Sequence, residues 1–309
     1  TAAVAAQLGI APRHVLMNST GVIGEPLPVE RVLARVSELA AGLREDGLKD
    51  FARAIMTTDT RMKFFTREVG RGKSAFRLAT IAKGAGMIEP HLATMLCYVL
   101  TDARVSPSAL RKALVSAAHG SLNALTVDGD TSTSDSLIIM ASGASGFNAS
   151  ARGLKLFQAA LDNILAETAA AIAADGEGAT RFFRILVTGA KTSAEADRVA
   201  RRIANSPLVK TAFHAADPNW GRVMAAAGSA GVPLDPGRVS VRFESSKNTV
   251  EIVRAGMLSP AYREAQAAKI LSGTGFTVRV NLGRGKAERA ILTCDFSADY
   301  VKINAEYRT

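Results

Sequence analysis

A glycine-rich stretch that runs into a threonine-led apolar segment is the part of this sequence with the clearest chemical meaning. Residues 83–90 read KGAGMIEP, and Thr94 opens the run TMLCYVLT at 94–101. A mobile, strained turn before a rigid strand is what a self-activating nucleophile needs. Attack by the Thr94 hydroxyl on the Ala93 carbonyl carbon would form an ester. Water would then release the chain and expose Thr94 as a new N-terminus.

The liberated α-amino group would supply the base for catalysis. A free α-amino group has a pKa of about 7.7–8.0. It can therefore accept the proton of its own Thr94 hydroxyl near neutral pH. The same layout is also compatible with a purely structural threonine, because β-branched residues commonly open strands.

Other segments rich in Gly, Ser, Thr, Asp and Asn mark further candidate loops. They are 18–24 (NSTGVIG), 126–133 (TVDGDTST) and 217–222 (DPNWGR). Asp128, Asp130 and Asp135 partly imitate the start of a calcium loop, but the distal bidentate Glu of such loops is lacking. We therefore predict a hydrogen-bonded loop near the site, with no metal. The 217–222 segment is predicted to be a structural turn on which Trp220 packs.

Periodicity predicts the elements that must position these residues. Helices are predicted at 29–43, 106–118, 151–174, 193–204 and 259–271. Strands are predicted at 51–57, 74–82, 94–101, 137–141, 180–188, 239–243, 249–254, 276–281 and 288–295. The short connections within the last two strand pairs favour antiparallel pairing. The pattern indicates an α+β architecture of layered sheets with flanking helices.

Composition narrows the class of protein. The chain has 309 residues, 48% of them hydrophobic, and a net charge of +10. Basic residues are scattered, which favours a solvated basic surface over nucleic-acid binding, with steering of acidic metabolites as a third interpretation. Cys97 and Cys294 lie in apolar runs, so we expect buried free thiols and no disulfide. The sequence has no apolar run long enough to span a membrane, so a cytoplasmic enzyme is expected.

Several motifs together resemble the ornithine acetyltransferase (glutamate N-acetyltransferase) family of arginine biosynthesis. They are NSTGVIG (18–24), MTTDT (56–60), AKGAGMIEPHLATML (82–96), TVDGDTSTSDS (126–136), DGEGAT (175–180), DPNWGR (217–222) and INAEYRT (303–309). The motifs stand in family order and reach the last residue. Ser134 departs from the Asn that the family usually carries there. The chain opens in a helix-like run at Thr1, so the family's N-terminal portion is expected to be missing.

The resemblance implies a role for each matching residue. Thr94 is implied to be the nucleophile, with cleavage between Ala93 and Thr94. Thr20 and Gly21 are implied to form the oxyanion hole, and a hydroxyl and an N–H can both donate to a tetrahedral O⁻. Substrate contacts are implied at Thr57, Lys83, Thr94, Glu177, Asn304 and Thr309. Lys83 suits a substrate carboxylate and Glu177 an amino group. Solvated loop charges would be the simpler interpretation without the resemblance.

The resemblance also implies the activity and the assembly. N-acetylornithine would acetylate Thr94, and glutamate would then accept the acetyl group in a ping-pong cycle that needs no cofactor. Some relatives also use acetyl-CoA as donor. Self-cleavage would give an α fragment (1–93) and a β fragment (94–309), which includes an α/β region at about 180–309. Two α and two β fragments would form a heterotetramer. The alternative is a self-cleaving aminopeptidase or amidohydrolase of β-aminopeptidase-like fold, with water as acceptor.

Overall fold

The computed structural model describes residues 1–89 and 95–306. Its helices are α1 (Ala2–Leu8), α2 (Val29–Leu33), α3 (Val36–Ala41), α4 (Leu48–Ala54), α5 (Pro107–Gly120), α6 (Ala151–Ala174), α7 (Ser193–Ala204), α8 (Pro207–His214), α9 (Trp220–Gly228), α10 (Glu264–Leu271) and α11 (Ala298–Glu306). Its strands are β1 (Lys63–Val69), β2 (Phe76–Lys83), β3 (Leu96–Thr101), β4 (Ser136–Ala141), β5 (Phe182–Ala190), β6 (Ser240–Glu244), β7 (Thr249–Arg254), β8 (Met257–Leu258), β9 (Phe276–Asn281) and β10 (Ala287–Cys294).

The first sheet carries the strands on either side of the glycine-rich stretch. Its order is β1-β2-β3-β4. β2 pairs antiparallel with β1 and β3, whereas β3 and β4 run parallel with Leu96 opposite Ser136. Helices α5 and α6 pack together, and α6 lies against β1 and β2. Phe76 and Phe157 are fully buried in the core between this sheet and its helices. The ends of β2 and β3 are therefore anchored by strand pairing and by the packed core of this sheet.

The second sheet has six strands in the order β10-β5-β9-β6-β7-β8. Helix α7 covers β10 and β5, and its start is capped by the Thr192 side chain. Phe183, Phe213 and Phe276 form a compact aromatic group in this second core. The connection between α5 and β4 contacts the second sheet where the Thr126 N–H donates to the Leu292 carbonyl of β10 at 2.9 Å. The predicted α+β layered architecture is confirmed.

One predicted strand is wrong. Residues 51–57 lie in α4 and the turn that follows it. The apolar residues of FARAIMT suggest a buried strand. In the structure, however, only Ala52 is fully buried on α4, and the larger Phe51 is 39% exposed. Phe51 makes an edge-to-face contact with Tyr98 of β3, so the helix packs across the sheet instead of joining it.

The predicted pairing of the last two strands is also wrong. β9 and β10 do not pair with each other, because β5 lies between them, parallel to β9 and antiparallel to β10. The β6–β7 pair is antiparallel as predicted. Closeness in sequence favours a hairpin of β9 and β10. In the structure, both strands pair instead with β5, which lies far from them in the sequence and is hydrogen-bonded along both of its edges.

Two helix predictions need new bounds. The predicted helix at 29–43 is two short helices, α2 and α3, separated by a turn. Of its apolar positions only Val36 is buried, so the stripe lacks the packing that would hold one long helix. The helix predicted from 259 begins at Glu264, because Ser259 and Tyr262 form a hydrogen-bonded turn before it.

Several other features of the fold agree with the sequence, although helices α8, α9 and α11 are not among the predicted elements. Cys97 and Cys294 are buried free thiols, as predicted. The 217–222 segment holds a turn whose Asn219 side chain caps α9, and Trp220 packs on the second core. None of the helices within 1–89 and 95–306 is both long and apolar enough to cross a bilayer.

Candidate active site

A cleft of about 200 Å³ brings together most of the predicted site residues. Its lining includes the predicted Thr20, Gly21, Thr57, Lys83, Glu177 and Asn304, together with Val22, Ile23, Thr58, Gly86, Met87, Asp128, Asp130, Ser132 and Tyr300. These residues come from six separate stretches of the chain. Convergence of distant polar groups on one cleft is the usual sign of a binding site.

A larger groove, of about 760 Å³, lies on the outer face of the four-stranded sheet. Its walls include Leu78, Leu100 and Met140, and it contains none of the predicted site residues. Because six of the predicted site residues line the smaller cleft and none lines this groove, we place the candidate chemistry in the smaller cleft.

Lys83 ends β2 at the floor of the cleft and is only 5% exposed. Burial lowers the pKa of its ammonium, and the carboxylates of Asp59, Asp135 and Glu177 partly oppose that shift. Several acidic neighbours around one buried cation keep the charged form accessible. An anionic substrate group is the complement that such a cation can bind.

Glu177 stands close to Lys83 and is 7% exposed. Its N–H donates to the Ala85 carbonyl at 2.8 Å, which ties its loop to the glycine-rich stretch. A Cβ on Gly86 would lie 2.2 Å from the Glu177 carboxylate. A side chain at residue 86 would therefore force the Glu177 carboxylate out of its present position.

Helix α11 closes one side of the cleft and delivers Asn304. The Asn304 side-chain amide donates to Glu177 Oε2 at 2.8 Å and to the Tyr300 carbonyl at 3.0 Å. The Ser297 hydroxyl holds the start of this helix to the Gly178 carbonyl at 2.6 Å. The C-terminal tail is thus an ordered wall of the cleft as far as Glu306.

The predicted oxyanion-hole pair lies in a segment without regular secondary structure. Thr20 and Gly21 line the cleft opposite the glycine-rich stretch. Nearby, the Tyr98 hydroxyl donates to Asn18 Oδ1 at 2.7 Å, which fixes the start of this segment to β3. The role of the pair in stabilising an oxyanion stays a prediction.

The Asp128 carboxylate hydrogen-bonds the backbone near the end of the glycine-rich stretch. It accepts the N–H groups of Met87 at 2.6 Å and Ile88 at 2.9 Å, and burial raises its pKa. Met87 has a φ of +54°, a left-handed backbone that a non-glycine residue adopts only when held there. The predicted hydrogen-bonded loop near the site is confirmed at Asp128.

Three predicted site residues fall outside the described part of the chain. They are Ala93 and Thr94 at the junction and Thr309 in the tail. The predicted strand at 94–101 is described from Leu96. Beside the junction, the Met95 carbonyl accepts the Ser136 N–H at 2.9 Å, which continues the β3–β4 pairing toward it.

Sequence reasoning missed several residues that line the cleft. Thr58 and Ser132 belong to the quoted motifs but had no role assigned, and Tyr300 belongs to none. The stacked rings of Tyr300 and Phe296 lie 4.4 Å apart, centroid to centroid. Tyr300 and Asn304 are four residues apart, which places both side chains on one face of a helix. That spacing would have linked Tyr300 to the predicted Asn304 if the helix itself had been predicted.

Comparison with known proteins decides the family. The ArgJ family matches residues 1–309. The chain belongs to the ArgJ family. It is 48% identical to the arginine biosynthesis bifunctional protein ArgJ of Methylococcus capsulatus, over 99% of this chain and 75% of that protein. It is 45% identical to the protein of the same name from Ruegeria pomeroyi, over 100% of this chain and 74% of that protein.

A solved ArgJ structure supports the fold. The crystal structure of the arginine biosynthesis bifunctional protein of Bacillus halodurans matches with a TM-score of 0.63 and 34% identity, over 68% of this chain and 98% of that chain. The α+β layers described above are therefore those of an ArgJ fold. The predicted family membership is confirmed.

Proposed function

We propose that this ArgJ-family chain is an acetyltransferase of arginine biosynthesis that moves the acetyl group of N-acetylornithine to glutamate through an acetyl ester on Thr94. The main support is the convergence of Thr20, Gly21, Thr57, Lys83, Glu177 and Asn304 on one cleft. Its relatives are named arginine biosynthesis bifunctional proteins, which favours a transferase over the hydrolase alternative.

The first step of the proposal is self-cleavage. The Thr94 hydroxyl oxygen attacks the Ala93 carbonyl carbon, the peptide C–N bond breaks, and the nitrogen takes up a proton to become the new amine. Water then hydrolyses the ester and leaves fragments 1–93 and 94–309. The segment before the junction is held by Asp128, and the one after it by the β3–β4 pairing.

The second step is acetylation. The Thr94 oxygen attacks the acetyl carbonyl of N-acetylornithine, with its proton going to the Thr94 amine. The amide C–N bond breaks and ornithine leaves with that proton. The Thr20 hydroxyl and the Gly21 N–H donate to the oxyanion in this scheme. The glutamate amino nitrogen then attacks the ester carbonyl carbon, the C–O bond to Thr94 breaks, and the amine proton passes by way of the Thr94 amine to the Thr94 oxygen. N-acetylglutamate leaves and free Thr94 is regenerated.

Charge complementarity assigns the substrate groups. Lys83 binds the α-carboxylate that both amino acids share, and Glu177 binds an amino group, with Asn304 fixing the Glu177 carboxylate. The cycle needs small-molecule substrates and no cofactor. We extend the proposal to Thr57 and Thr309 as further substrate contacts and to an assembly of two α and two β fragments in the cytoplasm.

Intact mass and denaturing gels test the proposal first. Purified protein should consist of two fragments, one ending at Ala93 and the other beginning at Thr94. The Thr94→Ala variant should stay one chain and have no activity. N-acetylornithine alone should add one acetyl group to the 94–309 fragment. An active enzyme that lacks a free threonine at that junction would refute the mechanism.

Steady-state kinetics separate the two functions. Parallel double-reciprocal lines for N-acetylornithine and glutamate are expected of ping-pong transfer, and intersecting lines would count against it. If water outcompetes glutamate for the acetyl-enzyme, the amidohydrolase alternative holds. The word bifunctional in the names of the relatives supports a second donor. Acetylation of the 94–309 fragment by acetyl-CoA alone tests that candidate.

A further inference from the structure

A lysine ammonium is buried between two carboxylates directly behind the cleft. Lys63 Nζ lies 2.5 Å from Asp59 Oδ1 and 2.6 Å from Asp175 Oδ2, and all three side chains are at most 3% exposed. We call Asp59, Lys63 and Asp175 the ion triad. Removing such charges from water is costly, and apolar residues of similar size often stabilise a fold as well. A contribution to stability alone therefore does not account for three buried charges at this position.

Asp59 connects two of the walls of the cleft. It accepts the Gly84 N–H at 2.8 Å and the Thr57 N–H at 3.2 Å. Gly84 directly follows Lys83, so one carboxylate fixes the backbone beside both Lys83 and Thr57. These two residues come from different stretches of the chain, and the described structure joins them at this carboxylate.

Asp175 connects the third wall. It accepts the N–H groups of Thr60 at 3.1 Å and Arg61 at 3.3 Å, and also the Thr60 hydroxyl. Asp175 follows the last residue of α6 and stands two residues before Glu177. Lys63 bonds both carboxylates. It therefore connects the loop that carries Glu177 to Asp59, and through Asp59 to the two segments that carry Thr57 and Lys83.

We propose that the ion triad is a set of positioning residues that fixes Thr57, Lys83 and Glu177 relative to one another for binding an amino-acid substrate. Within the triad, the Asp59 carboxylate raises the pKa of Lys83 and the Lys63 ammonium lowers it, so the triad also sets the charge environment of Lys83. This inference rests on the proposed function, because it assumes that Lys83 and Glu177 bind substrate.

Two conservative variants test the proposal. Asp59→Asn and Asp175→Asn keep the shape of each side chain but remove its charge. We expect each to raise the KM for N-acetylornithine and for glutamate about tenfold or more, with kcat changed less than about threefold, since binding geometry is lost while the nucleophile remains. Far-UV circular dichroism and intact mass should show folded, self-cleaved protein.

A pH profile separates positioning from a merely structural role. Burial lowers the pKa of Lys83; Asp59, Asp135 and Glu177 oppose that shift, and Lys63 adds to it. Asp59→Asn should therefore lower the pKa of Lys83 further. Relative to wild type with the same substrate, the alkaline limb of kcat/KM for N-acetylornithine should move to lower pH, because the ionisation of the free side-chain amine of the substrate is the same for both enzymes. Asp175 is not among the charges acting most strongly on Lys83, so Asp175→Asn should raise KM and leave that limb in place.

Arg67→Met is the matched control. Arg67 lies on β1 like Lys63, but its ion pair with Glu167 is on the surface, where the Arg67 side chain is 50% exposed. Its KM values should stay within about twofold of wild type. Folded Asp59→Asn and Asp175→Asn variants with KM values as close to wild type as this control would overturn the inference. If Asp59→Asn does not fold, Asp175→Asn decides by KM alone. A wild-type protein without acetyl transfer would refute the proposed function instead.

Discussion

Opposite charges at close quarters characterise the site at the scale of single residues. Lys83 is 5% exposed and Glu177 is 7% exposed, and both face the same cleft. Such a pair complements the carboxylate and the amino group of an amino acid. Each charge gains more from a bound substrate than a surface charge would, because little water competes for it.

Asp135 stands out beside them. Both of its carboxylate oxygens are buried and neither makes a well-formed hydrogen bond with a described residue. Burial raises its pKa to about 7, although the Met95 N–H and the Lys83 ammonium act in the opposite direction. A carboxyl group whose pKa is higher in the folded than in the unfolded state loses stability as the pH rises through that interval.

We therefore predict that Asp135→Asn stabilises the protein at pH 8 relative to wild type, and does so much less at pH 5. The neutral amide avoids the cost of ionising this carboxyl group between about pH 4 and 7. We put that cost at no more than about 2 kcal/mol, because Asp135 as a whole is half-buried although its two oxygens are covered. Thermal unfolding at the two pH values measures it. Asp46→Asn is the control, since the Asp46 side chain is 85% exposed. An equal offset at both pH values would contradict the prediction.

At the scale of elements, α11 decides whether the cleft is closed. Gly178 has a φ of +66°, and a Cβ there would lie 2.4 Å from the backbone nitrogen of Tyr300. The helix can approach this loop only because residue 178 lacks a side chain. Asn304 reaches Glu177 through the same approach.

We predict that Gly178→Ala displaces α11 and raises KM for both substrates about fivefold or more, because Asn304 no longer fixes the Glu177 carboxylate. Steady-state kinetics measure it. Gly231→Ala is a matched control, because Gly231 has a φ of +65° but open space where a Cβ would stand. It should lose roughly 1 kcal/mol of stability from backbone strain alone and keep its KM. Equal kinetics in the two variants would rule out this role of the glycine.

At the scale of the whole molecule, a polar network joins helix α7 to the glycine-rich stretch and to the segment that follows α5. Arg201 of α7 donates to Glu89 at 2.9 Å and to the Asn123 carbonyl at 2.6 Å. The Asn205 amide donates to the other Glu89 oxygen at 2.8 Å. Arg201 and Asn205 therefore hold Glu89, near the end of the glycine-rich stretch, from the second half of the chain.

We predict that Arg201→Met lowers the free energy of unfolding by roughly 1–3 kcal/mol, because Glu89 and Asp197 each lose a partly buried cationic partner. Denaturant unfolding of the purified protein measures it. Arg35→Met removes a pair whose side chains are 70% and 68% exposed, and should cost less than about 0.5 kcal/mol. Comparable losses in both variants would show that the network contributes no more than a surface pair.

Family, fold class and six of the fifteen residues that line the cleft could be predicted from the sequence, because ordered motifs and helical or strand periodicity are local properties of the chain. The 24-residue helix α6 is an example, since its apolar pattern is long and unbroken. The strand predicted at 51–57 failed for the converse reason. A short apolar segment fits either period, and only packing of Phe51 on Tyr98 selects the helix.

The sequence by itself determined which residues could do the chemistry and the order in which they occur. Only the tertiary structure decided which of them share a cleft and what holds them there. Lys63 matches no motif, and its partner Asp175 lies 112 residues away. The physical reason is that an ion pair depends on distance in space and on burial, and neither quantity is contained in residue type or local spacing.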